Sequence, residues 1–122
     1  MKESIIQKKS YLFALLIIKM YKFLTNDQKE FILSKQVLRC GTSIGANVNE
    51  AQSAESKNDF IHKMAISLKE SRETLYWLNL LHDSEYISKD AFESIHNDCI
   101  ELKNILSSII LSAKEKKNNS TL

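Results

Sequence analysis

Proline is absent from the 122-residue chain, and glycine occurs only at Gly41 and Gly45. Turn-rich β-sandwiches, collagen-like chains and flexible Pro/Gly linkers need those residues in quantity, so the composition excludes them. Cysteine is as scarce. Cys40 and Cys99 have neither CxxC nor CxxH spacing and sit in apolar helical stretches, which points to buried, reduced thiols in a reducing cytosol rather than a disulfide or metal site. An excess of one charge is missing too: 17 Lys and Arg against 15 Asp and Glu leave a formal net charge of +2, too little to mark a nucleic-acid binder by total charge. A membrane-spanning run is also lacking. Lys8 and Lys9 precede eight apolar residues, Tyr11 to Ile18, in the order of a signal peptide. Spanning needs about 20 residues, Lys19 and Lys22 interrupt the run, and no small-residue cleavage site follows, so neither export nor insertion is expected.

What is present reads as helix. With 43% hydrophobic and 26% charged residues, positions 1–122 suit one domain with one core. Helices are expected over about residues 4–24, 28–54, 59–82 and 89–115, with a Lys/Asn-rich tail over 116–122. Thr25 with Gln28 has capping-box spacing for the second helix, Ser56 with Asp59 has it for the third, and Ser88 is the expected N-cap of the fourth. Phe60, Met64, Leu68, Leu75 and Leu78 keep a three-to-four spacing, as do Phe92, Ile95, Cys99, Leu102, Leu106 and Ile109. Short breaks force antiparallel neighbours, so the expected fold is all-α, an antiparallel up-down-up-down four-helix bundle.

Eight consecutive apolar residues point in every direction around a helix, whereas a bundle helix buries one stripe. The excess predicts self-association. Tyr11, Phe13, Leu16 and Ile17 of the first helix, with Ile66 and Trp77 of the third, are the candidate oligomer interface. Gly41 and Gly45, four apart, each cost about 1 kcal/mol relative to alanine in a helix, which suggests that another backbone packs close there.

Catalytic and metal readings find little support. Asp59 with His62 and Glu93 with His96 have the i, i+3 spacing of di-metal bundle ligands, but the two pairs start consecutive antiparallel helices and so lie about 20 Å apart. The first helix has no Asp, Glu or His between Ile5 and Leu24. No metal, other cofactor or catalytic residue is therefore assigned. Glu70 and Glu73 could do acid-base work if burial separated their pKa values. No nucleophile-base arrangement, phosphate-cradling glycine loop or histidine accompanies them, and a structural polar network of Asn47, Glu50, Glu70, Arg72 and Glu73, with Arg39, is expected instead.

Charge position carries more than charge total. In an up-down bundle the N-terminus, the second turn and the C-terminus share one end, collecting Lys2, Lys8, Lys9, Lys57, Lys63, Lys114, Lys116 and Lys117 against Glu3, Glu55, Asp59 and Glu115. The other end has Lys19, Lys22, Lys29 and Lys89 against Asp27, Glu30, Asp83, Glu85, Asp90 and Glu93. The first set could hold a phosphate backbone, and repetition around an oligomer would multiply it. It is equally a set of lysines complementing a helix C-terminus, and no aromatic-lysine interleaving of the single-strand-binding kind is visible in the sequence.

The run SIGANVNEAQSAESKNDF, residues 43–60, then KESRETLYWLNLL, residues 69–81, resembles the four-helix bundle proteins encoded in intervening sequences of 23S ribosomal RNA genes. FILSKQVLRC, residues 31–40, extends the likeness. Ser43, Asn47, Glu50, Ser56, Asp59, Phe60, Glu70, Glu73 and Trp77 carry it, and the chain departs at Thr25 to Gln28, where the family often has proline. The resemblance implies a bacterial homo-oligomer, most plausibly a pentameric ring, without catalytic residues or cofactor. More loosely, the chain is similar to the accessory protein of diversity-generating retroelements, a basic pentamer associated with nucleic acid and a reverse transcriptase. Expected partners are thus further copies of the chain and RNA or DNA, with no membrane or small-molecule substrate; a protein-interaction scaffold for a nucleic-acid enzyme is the alternative.

Overall fold

Serine side chains start three of the four helices in the computed structural model, which describes residues 4–120. The helices are α1 (Ile5–Asn26), α2 (Leu33–Ala51), α3 (Lys57–Asp83) and α4 (Lys89–Ser120). At α1, Ser4 Oγ accepts from the Gln7 amide at 3.2 Å while Gln7 Oε1 accepts from the Ser4 amide at 2.9 Å, a complete capping box. Ser56 Oγ accepts from the Asp59 amide at 3.0 Å and Ser88 Oγ from the Ala91 amide at 3.2 Å, both at the positions the sequence indicates. The α3–α4 turn is a Schellman motif. Glu85 takes the left-handed conformation (φ 67°), its amide donates to the His82 carbonyl and the Tyr86 amide returns to Leu81.

The start of α2 departs from expectation. Thr25 and Gln28 form no capping box: Thr25 lies inside α1, its hydroxyl donating to the Tyr21 carbonyl at 3.0 Å, and α2 begins only at Leu33. Lys29 turns the chain left-handed (φ 55°), and the buried Glu30 carboxylate then accepts from the amides of Ile32, Leu33 and Ser34 at 3.2, 3.1 and 2.7 Å. Those are donors an α-helix start otherwise leaves unpaired, facing an anion the helix dipole favours. Burial works to raise the Glu30 pKa, but the Ser34, Leu33 and Ile32 amides and the Ser34 side chain outweigh it, and the carboxyl titrates below its ordinary value. A lowered folded-state pKa adds stability that is complete above the unfolded value of about 4.3 and lost as pH falls through the folded one. Glu30→Gln is expected to cost about 1–3 kcal/mol at pH 7 in urea denaturation and to remove this part of the acid dependence.

Close pairs fix the antiparallel order. Gly41 lies against Ile17 and Gly45 against Ser10, Arg39 reaches Glu70 and Glu73, and Cys99 Sγ donates to the Ser71 carbonyl at 3.4 Å. The helices therefore form an up-down-up-down bundle in which α1 packs closely on α2 and only loosely on α4, and α1 and α3 are diagonal. The core joins Phe13, Ile17 and Leu24 to Val37, Ile44 and Val48, Met64, Leu78 and Leu81, and Leu102 and Leu106.

The glycines are where α1 and α2 nearly touch. A Cβ on Gly41 would fall 2.8 Å from Ile17 Cγ1 and 3.0 Å from Cγ2, and one on Gly45 would meet the Ser10 backbone oxygen at 3.2 Å. Glycine to alanine inside a helix ordinarily gains about 1 kcal/mol. Gly41→Ala is expected to lose about 1–3 kcal/mol instead, because branched, buried Ile17 cannot swing aside, and thermal unfolding checks the sign.

The last helix corrects the tail expectation. Rather than ending near residue 115, α4 continues to Ser120, carrying Lys116 and Lys117 on a helix whose Lys117 Nζ donates to Asn58 Oδ1 at the start of α3.

Candidate functional site

The apolar run of α1 divides cleanly. Phe13 and Ile17 are 1% and 0% exposed and belong to the subunit's own core, so they are not available to a neighbouring copy. The outward residues are Tyr11, Leu12, Leu15, Leu16 and Ile18, from 37% exposed at Ile18 to 64% at Tyr11. Tyr11 and Leu16 of the candidate interface are thus exposed on the subunit, and so are Leu12, Leu15 and Ile18. Phe23 continues the patch one turn further on. Lys8, Lys19 and Lys22 are interspersed, and α1 has no carboxylate of its own.

Beside this face the loose α1–α4 packing leaves an apolar seam. Two shallow cavities of about 310 and 140 Å³ share Leu16 and reach Met20 and Ile95 in one, Phe13 and Leu102 in the other. On the diagonal helix α3, Tyr76 and Leu80 are exposed, while Ile66 and Trp77 are half-buried.

The expected polar network is smaller than the sequence suggests. Arg39 of α2 bridges Glu70, at 3.5 Å, and Glu73, and the Trp77 indole N–H donates to Glu73 Oε2 at 3.1 Å. The Trp77 hydrogen bond, opposed by burial and aided by Arg39, holds the Glu73 carboxyl below its ordinary pKa, and Glu73 in turn raises that of Arg39. Three neighbours stay outside. Glu50 pairs with Lys63 at 3.1 Å, Asn47 Nδ2 donates to the Ser43 carbonyl of its own helix at 2.9 Å, and Arg72 is exposed without an ion-pair partner among the described residues. The Glu70 and Glu73 carboxylates are held by structural partners, Arg39 and Trp77.

At the lysine-rich end, Lys8, Lys57, Lys114 and Lys116 are exposed and unpaired among the described residues. Lys9 is tied to Glu101 at 3.0 Å, Lys63 to Glu50 and Lys117 to Asn58. Lys2 lies outside the described residues. Of these, Lys57 and Lys116 border a cleft of about 480 Å³ between the first turn of α3 and the last turns of α4, with Phe60 and Ile109 among its apolar walls. Sequence reading missed this cleft, because the positions lining it lie some fifty residues apart on two helices.

Among the described residues no group of three or more His, Cys, Asp or Glu could hold a metal ion, and no helix is long and apolar enough to cross a membrane. Burial pushes the Cys40 thiol up to about 11 and the Cys99 thiol up to about 12, leaving both protonated and unreactive. His82 and His96 pack against Phe92, with ring centroids 4.3 and 4.9 Å away.

A family profile described as 23S rRNA-intervening sequence protein matches residues 2–108. The chain belongs to this family. The 23S rRNA-intervening sequence protein fold is shared with the crystal structure of a protein of unknown function from the S23 ribosomal protein family of Bacteroides thetaiotaomicron. That protein is 55% identical, with a TM-score of 0.86 over 87% of this chain and 98% of the other. No curated protein matches the chain. The family match ends at residue 108, so Lys114, Lys116 and Lys117 follow the segment it covers.

Proposed function

We propose that this 23S rRNA-intervening sequence protein is a non-enzymatic, self-assembling cytosolic bundle that contacts RNA through its lysine-rich end. The observation that carries the reading is the outward apolar face of α1, which one subunit leaves uncovered although its hydration is costly. A second apolar patch, on α3 around Tyr76 and Leu80, occupies the diagonal helix. Two unlike patches on opposite sides suit head-to-tail contacts, which close into a ring, and the resemblance favours five members. Ring closure would set several copies of Lys8, Lys57, Lys114 and Lys116 side by side, offsetting the small net charge of each chain.

The test is a gel shift with ribosomal RNA across a salt series. Binding is expected to weaken steeply with salt, and joint reversal of Lys114, Lys116 and Lys117 to glutamate to lower affinity about tenfold or more at 0.15 M salt. A shift that is absent or insensitive to salt overturns the RNA contact. A second reading, an accessory scaffold for a nucleic-acid enzyme, draws on Phe31 and Ile32, which stand 53% and 75% exposed at the α1–α2 turn. A pull-down that survives nuclease treatment and is lost in Ile32→Asp would favour it.

A further inference from the structure

The cleft between the start of α3 and the end of α4 brings cationic, apolar and hydroxyl side chains together from two helices. Lys57 and Lys116 come from opposite walls, Phe60 and Ile109 are apolar, and Ser108 and Ser112 present two hydroxyls one helical turn apart. None of its lining residues is a carboxylate. The nearest acidic side chain of the α3 start, Asp59, is engaged with the Glu55 amide at 3.2 Å. Its volume, about 480 Å³, lies in the range of sites that enclose a small ligand, and a few polar groups converging on an apolar wall are what such sites share.

We propose that this cleft holds one unpaired nucleotide, with the base against Phe60 and Ile109, the Ser108 and Ser112 hydroxyls on its polar edge, and the phosphate between Lys57 and Lys116. Aromatic contact plus paired cations is the means by which proteins hold single strands without reading sequence, and the bundle brings together across two helices the interleaving that the linear sequence lacks. A duplex cannot enter, because its bases are stacked and paired. The inference rests on the reading of this end as an RNA contact, and it narrows the preferred RNA to one with an unpaired residue.

Filling the cleft without altering charge separates the two. Ser112→Leu, and independently Ser108→Leu, change exposed positions, and circular dichroism verifies that each variant keeps the wild-type fold. Binding of a fluorescein-labelled, unstructured seven-nucleotide RNA and of the blunt duplex containing it is measured by anisotropy at 0.15 M salt. Both variants are expected to lose about tenfold in single-strand affinity with duplex affinity unchanged. Equal single-strand binding by wild type and filled variants overturns the cleft while leaving the lysine-rich contact standing; failure of the wild-type chain to bind either RNA overturns both. Competition by adenosine monophosphate shows that a free mononucleotide also fits. Its absence, with the single-strand loss intact, assigns the cleft to a strand-borne residue.

Discussion

Leu15→Glu is expected to yield a folded particle of 14.0 kDa at micromolar concentration, whereas the natural chain is expected to sediment as a multimer. Leu15 is 48% exposed in the middle of the outward α1 face, so its replacement leaves the subunit's own core untouched. In an assembly, however, the new carboxylate would lie against apolar side chains of a neighbour, and burying an unpaired charge costs several kcal/mol per interface. Sedimentation velocity reads the mass and circular dichroism the fold. A natural chain that itself sediments at 14.0 kDa removes self-association and every role built on a ring.

Two residues earlier the expectation reverses. Phe13→Ala is expected to destabilise the subunit by about 3–5 kcal/mol in urea denaturation, through lost burial plus the cavity left among core neighbours. Against a total stability of about 5–15 kcal/mol for a domain, that is a large fraction. Because the proposed assembly would add concentration-dependent stability, the comparison belongs in the Leu15→Glu background, where a lone subunit is expected to unfold by itself. An equal loss from Leu12→Ala, at a position 49% exposed, in the same background would contradict the placement of the two side chains.

Much of this architecture was readable beforehand, for reasons that differ between elements. Ser56 and Ser88 announce α3 and α4 because a serine just ahead of a periodic apolar run has a hydrogen-bonding purpose there. The start of α2 escapes that rule because its cap is Glu30, a carboxylate acting from outside the helix. That position depends on Lys29 adopting a left-handed turn that residue type does not advertise. The Lys/Asn-rich stretch after Lys114 has the composition of a tail, yet it continues α4 where Lys117 meets Asn58.

The candidate interface was legible only in outline. A run apolar at every position has no phase, so Phe13 and Ile17 could not be told from Leu12 and Leu16 until partners were known. Gly41, opposite Ile17, carried the missing signal: a gap in one helix marks the inward side of the next. Charge counting likewise found the lysines but not their pairings, since Lys9 with Glu101 and Lys63 with Glu50 are set by helix adjacency.

Trp77, the single indole of the chain, gives the bundle a built-in optical reporter. Its N–H is bound to Glu73 and its ring meets Tyr76 edge-on at 5.2 Å, on the flank proposed to receive the next subunit. Intrinsic emission therefore reads solvent access and local electric field at one known spot, free of background from any second emitter of its kind. The proposed docking of a neighbouring copy would be followed there in real time, without attaching a dye.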